Sequence, residues 1–217
     1  MKKSVFSSTK WSIKKNKLAV LTPARDVLHT AHANCLVEMV KLNMASGIET
    51  FVIHETSTVL LTQRERLGIE ALNIGAEYCL WLDSDIVFPP ATAQRLLAHN
   101  EDVVACNYVR RQFPPQGVAY ETIWDWQNPL PFEPRNKLMP VEGVGMGCFL
   151  MKTDILNKIP QPWFEFRFSP ETNDHLGEDM IFCQKIAEAG YTVKIDTQLS
   201  MELRHLGTYA FGPDLLN

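Results

Sequence analysis

A chain of 217 residues, 46% hydrophobic and 21% charged with 11 glycines and 13 prolines, is long enough to bury its own core and excludes a wholly disordered chain, a collagen-like repeat and a coiled coil. No uninterrupted apolar run approaches the roughly 20 residues that span a bilayer, and the five cysteines are scattered without a CxxC pair, which argues against a disulfide framework or a zinc site and leads us to expect a cytoplasmic protein. The formal charge of −4 divides unevenly: six lysines fall within the first 17 residues with no acid among them, leaving 15 basic against 25 acidic residues in the remainder.

Residues 1–16 therefore read as a basic arm, and 17–217 as a single domain. Lys2, Lys3, Lys10, Lys14 and Lys15 could meet nucleic acid, an anionic membrane surface or a phosphorylated acceptor, or could form a solvated, frayed terminus. Lys17 to Leu21 reads as a buried strand running into Thr22-Pro23. Asp26 is placed to cap a helix whose apolar residues Leu28, Ala31, Cys35, Leu36, Met39 and Val40 recur at helical spacing until Gly47 stops it. Thr50 to Ile53 is a β-branched strand ending at His54-Glu55. A second helix runs from Thr58 to Asn73 with Gly75 closing it, and Tyr78 to Leu82 is an apolar strand leading straight into Asp83-Ser84-Asp85.

Strand and helix alternating with short loops predict an α/β fold with a mostly parallel sheet wound by helices on both sides. Ligands in such sheets bind outside the carboxyl ends of the strands. Thr22, Arg25, Asp26, Glu55, Asp83 and Asp85 all fall at or just beyond those ends, so they are expected to converge on one crevice.

Further on, Ala91 to His99 reads as a short helix and Asp102 to Val109 as a strand leading to Arg110-Arg111. Gln112 to Pro140 holds six prolines with Trp124 and Trp126, and a long irregular segment of this kind is expected to serve as a lid or an acceptor wall. Val141 to Met151 is strand-like, with Gly143, Gly145 and Gly147 clearing one face. Close backbone packing and the approach of a ligand explain such a gap equally well. Glu178 to Ala189 has the apolar spacing of a helix that Gly190 ends. Tyr191 to Asp196 and Leu199 to Arg204 are predicted strands, followed by His205-Leu206-Gly207.

Three places carry chemistry. Asp83 and Asp85, one residue apart at a strand end, repel each other unless a cation joins them, and a hard divalent ion there would hold a diphosphate. Glu178 and Asp179 begin a helix, where exposed N–H groups favour negative charge. They either cap that helix or supply a general base for a hydroxyl. His205 is a packed histidine or, beside such a cation, an imidazole ligand that favours Mn²⁺ over Mg²⁺.

The run Leu80-Trp81-Leu82-Asp83-Ser84-Asp85, with Gly177-Glu178-Asp179 and then His205-Leu206-Gly207 in that order, resembles the GT-A fold nucleotide-sugar glycosyltransferases, particularly compact bacterial and phage-type members. The resemblance spans Lys17 to Gly207. It implies one GT-A (Rossmann-like) domain, with a nucleotide-binding half over residues 17–111 and an acceptor and catalytic half over residues 112–217. It further implies metal-dependent, inverting transfer of a sugar from a nucleoside diphosphate donor, a UDP-sugar above others, to an acceptor hydroxyl. Thr22-Pro23 and Glu55 are similar to the base and ribose contacts, with Arg25 and Ser84 beside them. Asp83 resembles the family's ribose or metal-shell aspartate, Asp85 its metal ligand and His205 its C-terminal ligand for Mn²⁺ or Mg²⁺. Asp179, with Glu178 as its neighbour, looks like the acceptor-activating base, and Gly145 and Gly147 like a turn lying against sugar. The second helix offers Arg64-Glu65-Arg66 where the family often has an Arg-Asn pair.

Two other readings compete. A metal-dependent nucleotidyltransferase would carry a glycine-rich basic loop after its first strand, and Leu21-Thr22-Pro23-Ala24-Arg25 has no glycine. A catalytically inactive module binding sugar or nucleic acid would use the basic arm, Trp124 and Trp126. The acceptor is left open among a DNA base, lipid, protein and glycan.

Overall fold

The computed structural model describes residues 17–207 except 126, 135–137 and 171–172; the basic arm and Trp126 lie outside the described residues. In chain order the elements are β1 (Lys17–Ala24), α1 (Thr30–Ala45), β2 (Glu49–Thr56), α2 (Leu60–Asn73), β3 (Tyr78–Leu82), β4 (Ile86–Val87), α3 (Thr92–Ala98) and β5 (Val103–Ala105). Then come β6 (Ala119–Tyr120), β7 (Leu138–Val141), β8 (Gly143–Val144), β9 (Cys148–Lys152), a 3-10 turn (Thr153–Asn157), β10 (Arg167–Ser169) and β11 (Asp174–Leu176). The last are α4 (Glu178–Glu188), β12 (Val193–Asp196), α5 (Thr197–Ser200) and β13 (Arg204–His205).

Seven strands form one sheet in the order β2-β1-β3-β9-β5-β12-β7, in which β9 and β7 run against the other five. This is the α/β class with a mostly parallel sheet that the sequence predicts. From β1 the chain crosses outward to β2 and then back past β1 to β3, so two right-handed crossovers put α1 and α2 on opposite faces. α1 packs with α3, and α2 with the 3-10 turn. β9, from the C-terminal half, is inserted between β3 and β5, so both halves share one sheet. No helix among the described residues is long and apolar enough to cross a membrane.

The sheet buries apolar residues on both faces: Leu18, Val20, Leu80, Leu82 and Phe149 are all fully buried. Beneath the site lies an aromatic stack, with Phe164 and Phe182 stacked at 4.5 Å, Trp81 edge-on to Phe164 at 5.5 Å and Phe149 beside Phe182 at 6.0 Å. Truncating such a ring to alanine costs about 3–5 kcal/mol, so this floor holds its geometry firmly. Gly75 and Gly190 close α2 and α4 with φ of 65° and 88°, left-handed values that a side chain disfavours.

Several predicted boundaries change. α1 starts at Thr30, not at Asp26: His29 takes the N-cap position without a side-chain cap, and its N–H donates to the Ser84 carbonyl at 3.4 Å, tying the helix to the Asp83-Ser84-Asp85 loop. The strand predicted over 199–204 gives way to α5, because Asp196 caps it by accepting the N–H groups of Gln198 (3.0 Å) and Leu199 (2.8 Å). The irregular segment 112–140 is also better anchored than its prolines suggest. Asn107 Oδ1 accepts the N–H groups of Val118 (2.8 Å) and Ala119 (3.1 Å), β6 pairs with β8, and residues 138–141 join the central sheet. Pro140, which has no N–H to donate, lies on the edge strand β7.

Candidate active site

The carboxyl ends of β1, β2 and β3 bring the sequence-predicted residues to one side of the sheet, where the organising residue is Arg64. It occupies the inner face of α2 with Leu67, Gly68 and Ala71 and is 3% exposed. Its Nη1 donates to Glu178 Oε1 at 2.7 Å and its Nη2 to Asp83 Oδ1 at 3.3 Å, while the guanidinium lies 5.9 Å from the Phe164 ring. Burial opposes its charge, but Asp83, Glu178 and Asp179 outweigh that and raise its pKa. Arg64 thus ties α2 to the end of β3 and the start of α4. The sequence carries a usable signal for this role: a charged residue at helical spacing with Leu67, Gly68 and Ala71 on a face that must be buried.

The adjacent acids of α4 are divided by this contact. Glu178 is held by Arg64, whereas Asp179 has no cationic partner at ion-pair distance among the described residues; its Oδ1 accepts the Met180 N–H at 2.9 Å. Gly177 fills the N-cap position with no side-chain cap, so Asp179 satisfies one first-turn amide without capping the helix in the ordinary way. Burial and the charge of Glu178 push the Asp179 carboxyl up to about 6, against the pull of Arg64 and the Met180 N–H. The glycine of Gly177-Glu178-Asp179 has a steric reason: a Cβ there would lie 2.8 Å from Asp179 Oδ1. Asp179 faces a cavity of about 210 Å³ whose walls include Arg110, Tyr120, His175 and Met180.

Asp83 and Asp85 separate. Asp83 turns to Arg64, while Asp85 Oδ2 meets Arg111 Nη1 at 2.8 Å and its Oδ1 lies 3.4 Å from His205 Nε2. Burial opposes charge on Asp85, but the hydrogen bond and charge of His205, with Arg111, hold it below the usual carboxylate range. His205 Nδ1 lies 2.8 Å from the Val109 carbonyl. The carbonyl can only accept, so Nδ1–H donates to it, and the Nε2–H that donates to Asp85 is the proton a metal ion would displace, with the backbone contact orienting the ring as is common behind metal-bound histidine. Burial lowers the His205 pKa, and the contacts to Asp85 and Val109 more than reverse it. Asp85 and His205 therefore fit a divalent cation, with the Arg111 guanidinium now supplying positive charge at Asp85. Among the described residues no group of three His, Cys, Asp or Glu side chains forms a metal cluster, and Asp83 stands with Arg64 rather than with the other two predicted ligands.

The glycines of the 143–147 turn meet protein. A Cβ at Gly145 would come 2.6 Å from the Tyr108 hydroxyl, and one at Gly147 would come 2.6 Å from the Tyr108 ring. The same hydroxyl accepts the Gly147 N–H at 3.2 Å. Close packing, one of the two readings left open by the sequence, is what the structure shows for these positions. Tyr108, absent from the predicted site, is 8% exposed and edge-on to His205 at 5.4 Å. Burial and the charges of Asp83 and Asp179 raise its phenol well above its usual range, so it stays neutral.

At the ends of β1 and β2, Thr22 is fully buried with its Oγ1 unpartnered, Pro23 lies opposite Glu55 in the register, and Arg25 is exposed. Glu55 pairs with Arg66 at 2.7 Å, and the Gln63 amide donates to the backbone carbonyls of Ala24, Glu55 and Ser57, clasping the two strand ends. His32, fully buried and also outside the predicted site, has its Nδ1 2.8 Å from the Ile86 carbonyl just beyond Asp85. Burial lowers its pKa.

No protein-family model and no curated protein sequence matches the chain. In three dimensions it is similar to A197 from STIV, at 17% identity and a TM-score of 0.57 over 90% of this chain and 97% of that one. It is also similar to a point mutant of Drosophila β-1,4-galactosyltransferase 7, whose crystal structure is a complex with manganese, UDP-Gal and xylobiose, at 12% identity and a TM-score of 0.49 over 93% and 79% of the two chains. A glycosyltransferase involved in glycosylation of the major capsid of PBCV-1 follows at 12% identity, with a TM-score of 0.39 over 67% and 69%. Likeness at 17% identity shows the fold alone.

Proposed function

We propose that the protein is an inverting glycosyltransferase that moves a sugar from a nucleoside diphosphate donor, UDP-sugar being the expected one, to an acceptor hydroxyl. The observation that carries this reading is the division of labour between Glu178 and Asp179: Arg64 holds the first, and the second faces a cavity with its carboxyl pushed up to about 6. A base with that value is ionised at neutral pH and still close enough to it to accept a proton efficiently.

Thr22, Pro23 and Glu55 line the nucleotide side of the crevice in this reading, with Arg25 and Ser84 at its margin. Asp85 and His205 would hold a divalent cation, Mn²⁺ or Mg²⁺, whose bound charge offsets that of the diphosphate leaving group. Arg64 keeps Asp83 in place beneath it. In the transfer step the acceptor oxygen bonds to the anomeric carbon, the bond from that carbon to the diphosphate oxygen breaks with its electron pair leaving on the diphosphate, and the acceptor proton passes to Asp179. A single displacement of this kind inverts the anomeric centre.

Calorimetry with UDP, GDP, CDP and TDP, each with and without Mn²⁺, tests the donor side. UDP is expected to bind tightest, to need the metal, and to lose most of its affinity in Asp85→Ala. UDP affinity that is indifferent to chelator and to Asp85→Ala would remove the metal from the reading.

A further inference from the structure

Arg110 and Arg111 are consecutive, yet their guanidinium groups part across the site. Arg111 turns to Asp85. Arg110 turns to the cavity that Asp179 faces, where its Nη2 donates to the Tyr120 hydroxyl and the guanidinium lies 5.7 Å from the centre of the Tyr120 ring. Tyr120 is 1% exposed, so it is a fixed support. It offers a single oxygen to a group that carries five N–H donors.

No carboxylate among the described residues pairs with Arg110. The two acids in the same cavity make local contacts instead of pairing with Arg110: Asp174 Oδ1 accepts the His175 N–H at 2.7 Å and Asp179 Oδ1 accepts the Met180 N–H. A half-buried guanidinium without an anion has lost water and gained little in return, and its planar fork matches carboxylate or phosphate oxygens. Asp174 and Asp179 repel an anion from the rest of the cavity, which leaves the Arg110 side as the place for it.

We propose that Arg110 is the anion-recognition residue of this cavity and that the acceptor carries a carboxylate or phosphate group there, with its reacting hydroxyl on the Asp179 side. The naming of that hydroxyl rests on the glycosyltransferase reading; the anion site does not. At about 210 Å³ the cavity is smaller than the roughly 300–1,000 Å³ that encloses a whole ligand, so it takes one charged, sugar-sized unit while the rest of the acceptor extends outward.

The test is a binding titration by saturation-transfer NMR with three probes: methyl β-D-glucuronide for a carboxylate, glucose 6-phosphate for a phosphate and methyl β-D-glucoside as the neutral control. The wild-type protein is expected to bind at least one charged probe roughly tenfold or more tighter than the neutral one, and whichever is favoured identifies the anion. Arg110→Gln is expected to abolish that preference and Arg110→Lys to keep part of it, since the charge remains but the fork is lost. Wild-type protein that does not distinguish charged from neutral probes, including protein that binds none of them, overturns the proposal. So does a preference that survives in Arg110→Gln, or a loss of UDP affinity in that variant, which would assign Arg110 to the donor. Failure of UDP to bind the wild-type protein, with the anion preference intact, would count against the glycosyltransferase reading alone.

Discussion

Asp179 bears its charge at a cost to the fold. Its carboxyl is raised from an ordinary 3.8 to about 6, so the native state holds this proton more tightly than the unfolded chain does. Its contribution to stability is therefore full below about pH 4 and is lost as pH rises through about 6. Asp179→Asn, which cannot ionise, is expected to melt at a higher temperature than wild type at pH 7.5, by the equivalent of about 1–3 kcal/mol, with the gap closing at pH 4. A lower melting temperature at pH 7.5 would mean that the charge stabilises the fold and would take away the physical basis for a base at this position. The residue pattern shows Asp179 and Glu178 alike as titratable residues at a helix start, and only the family resemblance favours Asp179. Their separation comes from Arg64, which lies 114 residues from Glu178, and no local pattern records so distant a contact.

Two contacts between elements set the site. The first is the tie from α2 to β3 and α4 through Arg64. Removing one member of a buried ion pair leaves the others uncompensated, so Arg64→Ala is expected to lose about 3–5 kcal/mol in urea unfolding; a loss under 1 kcal/mol would show that the tie is solvated. The second is the packing of Tyr108 into the glycine turn before β9. Gly147→Ala would bring a Cβ within 2.6 Å of the Tyr108 ring, and overpacking of this kind costs about 1–3 kcal/mol. In a Tyr108→Ala background the same glycine substitution is expected to cost little, and a double-mutant cycle measures the difference. Equal costs in both backgrounds would mean that the turn needs its glycines for another reason. Gly145 and Gly147 are plain in the sequence, but the ring that fills the space beside them is not, because Tyr108 follows β5, a strand separated from the turn by the whole of 112–140.

At the scale of the molecule, the β1-α1-β2-α2-β3 order is legible because each strand is a short apolar run and each helix has periodic apolar residues with a glycine stop. The antiparallel entry of β9 between β3 and β5 is not, since an apolar strand reads the same in either direction and its neighbours are chosen by the whole sheet. The consequence for the site is large: β9 carries Gly147 to the Asp83 loop, where its carbonyl accepts the Asp83 N–H at 3.2 Å, and joins the two halves of the crevice. We propose that donor residues from β1 to β3 and the base at α4 serve a single reaction. The most direct test is turnover of a UDP-sugar by Asp179→Asn beside wild type, with UDP affinity measured on the same samples. With Asp179 as the base, kcat of Asp179→Asn is expected to fall by roughly 10² to 10⁴ with UDP affinity little changed, and wild-type kcat to rise with pH through about 6. Turnover by Asp179→Asn close to wild type would contradict that role.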